Sequence, residues 1–254
     1  MGKHKLTFGK SIILNRLVSI NEVERGLNCN CICPYELCNE PLEACKGIVR
    51  TPYFRHKSKK NCLGAFESQL HLLCKKIIVD NKSVCIPEYK KGSLFFTSEI
   101  VKFDSVQSEV IIGGRKPDVI GIYTDSKGNE QKLWIEIRYT HAVDECKTRY
   151  IKESNVNCLE IDVRQFLKDE TIDKEKLSVF LLKEPLNREW INCHFRDTEI
   201  NKILSIVNEI KTGGKNILDF VKQYTDDEHL RLELGTILFT LYQTKPNRND
   251  YFIV

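Results

Sequence analysis

Lys116-Pro117-Asp118-Val119-Ile120-Gly121-Ile122-Tyr123 and, further along, Leu133-Trp134-Ile135-Glu136-Ile137-Arg138-Tyr139-Thr140 decide how this chain is read. The second stretch alternates strictly. Leu133, Ile135, Ile137 and Tyr139 point one way, and Trp134, Glu136, Arg138 and Thr140 the other, which is the period of a strand. Asp125-Ser126-Lys127-Gly128-Asn129 between the stretches is a turn cluster, so the two runs form a hairpin. Asp118 and Glu136 both stand in apolar frames, where a carboxylate is costly to bury unless something pairs it. A divalent cation is one such partner, because hard ions take carboxylate oxygens. Each acid alone would more commonly be a surface residue or half of a salt bridge. A strict four-residue loop would set Asp118 opposite Ile137, so bringing both carboxylates onto one face needs a one-residue offset or a bulge.

Working outward, Val110-Ile111-Ile112 before Gly113-Gly114 predicts the first strand of a three-strand meander. Downstream, His141–Glu153 reads as a helix with Val143, Cys146, Tyr150 and Ile151 on one face, and Asn157–Val163 as a strand. Strand, helix, strand over this span predicts a crossover joining a parallel pair. Upstream, Phe66, Leu70, Leu73, Ile77 and Ile78 recur at helical intervals over 63–80, with Glu67, His71 and Lys75 on a separate stripe. The expected fold class is α/β, with a core of helix, three-strand meander, helix and strand. Three regions are expected: an N-terminal element over 1–62, the core over 63–195, and a C-terminal helical region over 196–254 with helices at Glu199–Lys211 and Ile217–Tyr242.

The chain has 254 residues, 41% hydrophobic and 29% charged, which fits a globular protein and excludes wholesale disorder. The longest apolar runs, Leu177–Leu182 and Ile237–Tyr242, fall far short of the ~20 residues of a membrane-spanning helix. Met1–Lys10 is basic without an apolar core, so no signal peptide is read and a cytoplasmic location without membrane association is expected. The formal net charge of +4 does not by itself imply nucleic acid. The 11 cysteines are more telling. An odd count without a secretory signal argues against a disulfide scaffold. Cys74, Cys85, Cys146, Cys158 and Cys193 are scattered, but Cys29, Cys31, Cys33, Cys38, Cys45 and Cys62 crowd into one segment with few periodic apolar runs.

Such a segment needs a staple to fold, and a tetrahedral metal site is the first candidate. Cys33 and Cys38, with Pro34 shaping the knuckle, fit a first ligand pair, and His56 with Cys62 a second. Cys29, Cys31 and Cys45 stand as alternates. The residues around the second pair are basic (Lys46, Arg50, Arg55, Lys57, Lys59, Lys60), which reads as a solvated loop or, beside a nucleic-acid site, as a phosphate-contacting surface.

Taken together these motifs resemble a known family. Pro117-Asp118, then Glu136-x-Arg138 on the next strand, preceded by a helix bearing Glu67, resembles the PD-(D/E)XK nuclease core. The closer resemblance is to the competence-protein CoiA-like members of that superfamily. It rests on Cys33-Pro-x-x-x-Cys38, Tyr53-Phe-Arg-His56, Asn61-Cys62, Glu67-Ser68-x-x-His71 with Lys75, Lys116-Pro117-Asp118-Val119, Ile135-Glu136-Ile137, Thr140-His141-x-x-Asp144-x-x-Lys147, Glu160-Ile-Asp162 and Arg188-Glu-Trp190-Ile191, over roughly residues 20–195. The resemblance implies a restriction-endonuclease-like core with a small zinc-binding element before the first helix. Asp118 and Glu136 would bind Mg²⁺ or Mn²⁺, and Glu67 would be the helix acid completing that shell. Departures are plain. The knuckle has four intervening residues where the family usually has two, Tyr53 stands where the family has a histidine, and Arg138 replaces the usual lysine.

The function so implied is metal-dependent hydrolysis of DNA phosphodiester bonds, in bacterial or phage DNA processing, uptake or defence, with RNA as an alternative substrate. Arg138 does not give up its proton under ordinary conditions, so Lys147 is read as a migrated lysine; either cation would stabilise the pentavalent phosphorane. His71 and His141 lie near the site by spacing. The competing reading is a nuclease-fold nucleic-acid-binding protein without cleavage, or a subunit of a larger assembly joined through the C-terminal helices.

Overall fold

A computed structural model describes residues 4–59, 62–92, 94–125, 128–140 and 142–212. In chain order the elements are β1 (Phe8–Ser11), β2 (Arg16–Ser19), β3 (Gly26–Ile32), β4 (Pro41–Cys45), β5 (Tyr53–His56), α1 (Leu63–Asn81), β6 (Ser83–Ile86), β7 (Tyr89–Lys91), β8 (Leu94–Phe96), β9 (Glu99–Lys102), β10 (Ser105–Ser108), β11 (Val119–Thr124), β12 (Glu130–Arg138), α2 (Glu145–Glu153), β13 (Asn157–Asp162), α3 (Lys174–Lys183), β14 (Arg188–Asn192) and α4 (His194–Lys211). The fold is mixed α/β. Two compact units divide the chain. Among the described residues, one takes those from 4 to 88 and from 97 to 193, the other the β7–β8 hairpin and residues 194–212. No helix among the described residues is long and apolar enough to cross a membrane.

The second sheet of the larger unit has the order β10-β11-β12-β13-β14. Its β11–β12 hairpin carries the stretch quoted first. Val119 pairs with Ile135 and Thr124 with Glu130. The turn therefore spans five residues, 125–129, and the ladder extended by one step sets Asp118 opposite Glu136. The required offset comes from loop length, and no bulge is needed. Asp125 closes this turn by accepting the Asn129 amide at 2.9 Å, and Gly128 adopts φ +81° there. β12 and β13 run parallel through α2.

The first meander strand lies elsewhere than the sequence suggests. Ser105–Ser108 pairs with β11, while Val110-Ile111-Ile112 makes only a bridge between Ile112 and Arg115. The backbone explains this. Glu109, Gly113 and Gly114 take φ of +65°, +56° and +72°, so the chain leaves the sheet at Glu109 and folds back on itself at the glycines. The α2 helix starts at Glu145 rather than His141, because Asp144 caps it by accepting the Lys147 amide at 2.8 Å. Its packed face is Tyr150 and Ile151 against Trp134, Ile120 and Cys158; Cys146 is exposed.

Residues expected to form a core-poor element instead form a five-stranded sheet, β2-β1-β3-β4-β5, over a buried cluster that includes Leu6, Val18, Ile20, Leu42, Phe54 and Ala65. Several inward positions are filled by Cys29, Cys31, Cys33 and Ala44, so the alternation is there without large aliphatic residues to mark it. This sheet belongs to the same compact unit as the second one. In the smaller unit, Asp197 of α4 accepts from Tyr89 Oη at 2.7 Å and Lys91 Nζ at 2.8 Å, and Arg196 lies over Phe96. The expected helix 199–211 is part of α4; the expected helix 217–242 lies outside the described residues.

Helix α1 joins the two sheets. Ala65, Phe66, Leu70, Leu73, Ile77 and Ile78 are buried, as the spacing predicts. Gln69, fully buried, accepts the backbone amides of both Thr7 and Phe8 through Oε1 at 3.0 Å. Replacing Gln69 with leucine strands two donors, one buried and one partly buried. At about 1–3 kcal/mol for each lost partner, Gln69→Leu should destabilise the protein by about 3 kcal/mol in urea unfolding; a change within 0.5 kcal/mol of wild type, roughly the scale of a neutral surface substitution, would show that this link does not hold the helix.

Candidate metal centre and acidic site

Cys33, Cys38, His56 and Cys62 converge, with one ligand atom from each lying within 4.8 Å of all the others. Local structure brings them there. Cys33 follows β3, and Cys38 closes a turn in which its amide donates to Tyr35 O at 2.9 Å. His56 ends β5, opposite Leu42 near the start of β4. Cys62 is the N-cap of α1. Tyr35 of the knuckle packs on Gly64, where a Cβ would meet its ring at 2.9 Å. Three thiols and one imidazole at this spacing suit a tetrahedral metal ion such as structural zinc.

The electrostatics agree with that donor set. Burial pushes the Cys33 thiol well above its ordinary value, and the neighbouring Cys62 and Cys38 push it further. Cys62 is raised by burial and by Cys38, while the Ala65 amide opposes the rise. Without a cation these thiols stay protonated, whereas a bound metal deprotonates them outright. The alternates lie elsewhere. Cys29 Sγ donates to Leu42 O at 3.1 Å and Cys31 Sγ to Cys29 O at 3.1 Å, both inside the core. Cys45 lies near Glu43 O, outside the cluster.

The second site gathers at the ends of β11, β12 and β13. Asp118 Oδ2 accepts the Ile137 amide at 2.8 Å. Its Oδ1 lies 2.9 Å from His71 Nε2 and 3.8 Å from Lys75 Nζ. Burial alone would raise the Asp118 carboxyl, but His71, the Ile137 amide and Lys75 together hold it below its ordinary value. His71 also packs against Tyr139, with ring centroids 4.9 Å apart.

Glu136 is only 6% exposed and is pushed up to about 7, by burial first, against the opposing pull of Lys147 and with added repulsion from Asp118 and Glu160. Lys147 Nζ, reaching in from α2, lies 2.7 Å from each carboxylate oxygen of Glu136 and donates to Oε2. It also donates to Lys116 O at 3.2 Å. Glu136 Oε1 is shut off from solvent and lies off the hydrogen-bonding direction of Lys147. A buried carboxylate with a half-satisfied oxygen, its neutral form favoured by two nearby acids, is a group that a divalent cation would satisfy.

Arg138 pairs with Glu160, with Nη1 3.4 Å from Oε1. Lys147 therefore stands on the acid where the lysine of the resembled motif would be looked for. Glu67 makes no hydrogen bond or ion pair among the described residues; its negative charge adds to burial in raising the Tyr139 hydroxyl above its ordinary value. His141 lies outside the described residues. Glu160, quoted above within Glu160-Ile-Asp162 but given no role there, also belongs to this site. It pairs with Glu136 in the β12–β13 register, is 6% exposed, and accepts the Val143 amide at 2.9 Å, which holds the turn into α2. The signal was legible, since Cys158-Leu159-Glu160-Ile161 is the same kind of apolar frame that singled out Glu136. A pocket of about 220 Å³ opens here, lined among others by Glu136, Arg138, Val143, Lys147 and Glu160.

Compared with protein-family models, with curated proteins and with solved structures, the chain matches none. Its chemistry therefore rests on the geometry above.

Metal analysis of the purified chain should find one zinc ion per chain. Cys33→Ser, Cys38→Ser, Cys62→Ser and His56→Ala should each lose it and lower Tm, because metal-binding energy is folding energy in such a site. Cys29→Ala and Cys31→Ala should keep the metal despite lost packing. Zinc retained by the four ligand variants would refute the assignment.

Proposed function

We propose that this chain is a metal-dependent nuclease that hydrolyses DNA phosphodiester bonds, with the restriction-endonuclease-like core and CoiA-like affinity that its motifs resemble. The observation that carries the reading is the placement of Asp118 across from Glu136 with Lys147 seated on Glu136. The sheet order, in which a meander passes through a helix into a parallel strand, is in keeping with it.

Asp118 and Glu136 would hold the cation, Mg²⁺ or Mn²⁺. When bound, that ion would acidify water and neutralise charge on a phosphoryl oxygen. The residues around it have separate tasks. His71 and the Ile137 amide fix the Asp118 carboxylate ionised and in one orientation. Burial of Glu136 delays its ionisation to neutral pH, so cation and proton compete for it. Lys147 neutralises Glu136 and brings an ammonium group beside the place where phosphoryl charge would build up. Glu160 holds Val143 and Arg138, and so the turn that delivers Lys147.

A second reading, a nuclease-fold protein that binds nucleic acid without cutting it, has two observations in its favour. Asp118 already has partners on both oxygens, and the arginine replacing the motif lysine is engaged with Glu160.

Cleavage of linear, circular and single-stranded DNA, and of RNA, with Mg²⁺ or Mn²⁺ separates the two. The nuclease reading expects Asp118→Ala and Glu136→Ala each to lower the rate by at least about a hundredfold while DNA binding persists, the scale of losing a residue that acts on the transition state. Mn²⁺ affinity should rise from pH 6 to pH 8 as Glu136 ionises, and the rise should flatten in Glu136→Gln. Wild type as inactive as the variants across all metals and substrates would leave only the binding reading.

A further inference from the structure

Lys75 is a buried cation whose closest partner is not Asp118, the acid that it helps to keep ionised. It sits on α1 one turn after His71, 4% exposed, within 3.8 Å of Asp118. Its close partner is Glu109, whose Oε1 it contacts while Lys116 contacts Oε2 of the same carboxylate. One carboxylate thus bridges two ammonium groups immediately beside the acidic site. The bridge runs outward, since side-chain exposure rises from 6% at Lys75 through 39% at Glu109 to 52% at Lys116.

Glu109 is an unusual residue for this post. It follows the last residue of β10, and its backbone lies in the left-handed region at φ +65°. That region is unfavourable for a residue with a long side chain and persists only where surroundings impose it. Its amide donates to Asp118 O, at a long 3.3 Å. The loop it opens, 109–117, turns on Gly113 and Gly114, which also have positive φ. Such a loop holds its carboxylate in place mainly through the two lysines, which keep it ionised against the effect of burial.

A phosphodiester group offers two non-bridging oxygens to the same pair of donors and carries the same single charge. We infer that Lys75 and Lys116 form a binding site for a phosphate of the substrate strand, filled by Glu109 as an internal anion until the strand displaces it. The inference rests on the nuclease reading for its ligand and deepens it by naming where the strand's backbone is gripped next to Asp118. Lys116 also links this grip to the catalytic acid, because its carbonyl takes a hydrogen bond from Lys147, which sits on Glu136.

The test is a gain of binding, which a purely structural salt bridge would not give. The 254-residue wild-type chain, Glu109→Ala and Glu109→Gln are titrated with labelled duplex and single-stranded DNA by fluorescence anisotropy, without added Mg²⁺, over a series of salt concentrations. Both variants should bind roughly three- to tenfold more tightly, and log K should fall more steeply with log salt by about 0.9 on duplex and about 0.7 on single-stranded DNA for each lysine freed. Lys116→Ala should weaken binding, and Glu109→Ala combined with Lys116→Ala should lose the gain. Inorganic phosphate, as a small probe, should compete for the site more strongly in Glu109→Ala than in wild type. Variants that stay folded and bind no better than wild type would overturn the proposal, as would a gain that survives removal of Lys116. Unfolding of both Glu109 variants would also count against it, because an anion meant to be displaced is not one the fold depends on. If no form binds DNA but Glu109→Ala binds phosphate, the anion site stands and the nucleic-acid reading falls.

Discussion

Helix α1 begins at a cysteine that offers it no cap. Cys62 makes no side-chain capping bond, and no acidic residue stands in the first turn, so the exposed amides and positive end of the helix lack their usual compensation. A metal-bound Cys62 thiolate would supply that negative charge at the helix start. The same helix is held further along by Gln69, which closes two amides of the N-terminal sheet. Two turns after its start it presents His71, and then Lys75, to Asp118. The placement of α1 therefore governs both sites. A shift of its N-terminus would withdraw the groups that keep Asp118 ionised.

The second constraint is electrostatic. Glu136 and Glu160 are buried register partners on parallel strands, with Asp118 across the hairpin from Glu136. Three acids in one small volume tolerate each other only because cations are delivered from different elements. Lys75 comes from α1, Lys147 from α2 and Arg138 from β12 itself. Glu136, served by Lys147 alone, is the acid left leaning toward its neutral form near pH 7. That imbalance marks where an additional positive charge would be most stabilising, and it is the physical content of the proposed cation site.

Much of this was legible in the sequence. The apolar face of α1 reads directly from the spacing of Phe66, Leu70, Leu73 and Ile77. Asp118 and Glu136 stood out because each is an acid in a strand-like apolar frame. Cys33, Cys38, His56 and Cys62 could be chosen over the alternates from ligand spacing, although only the fold shows that Cys29 and Cys31 turn into the core. What failed to show has physical reasons. The N-terminal sheet was hidden because its inward residues include cysteines and an alanine in place of long aliphatics. Val110-Ile111-Ile112 has strand composition, but Glu109 and the paired glycines force the chain out of the sheet. Lys75, Glu109 and Lys116 meet only in three dimensions, through a loop whose left-handed residue no propensity would place there.

The most direct measurement is anomalous diffraction from crystals soaked in Mn²⁺, with data also collected at the zinc edge. A manganese peak is expected between the Asp118 and Glu136 carboxylates, with a separate zinc peak within bonding distance of Cys33, Cys38, His56 and Cys62. Manganese absent from the carboxylates at saturating concentration, with Lys147 still seated on Glu136, would contradict the proposed cation site.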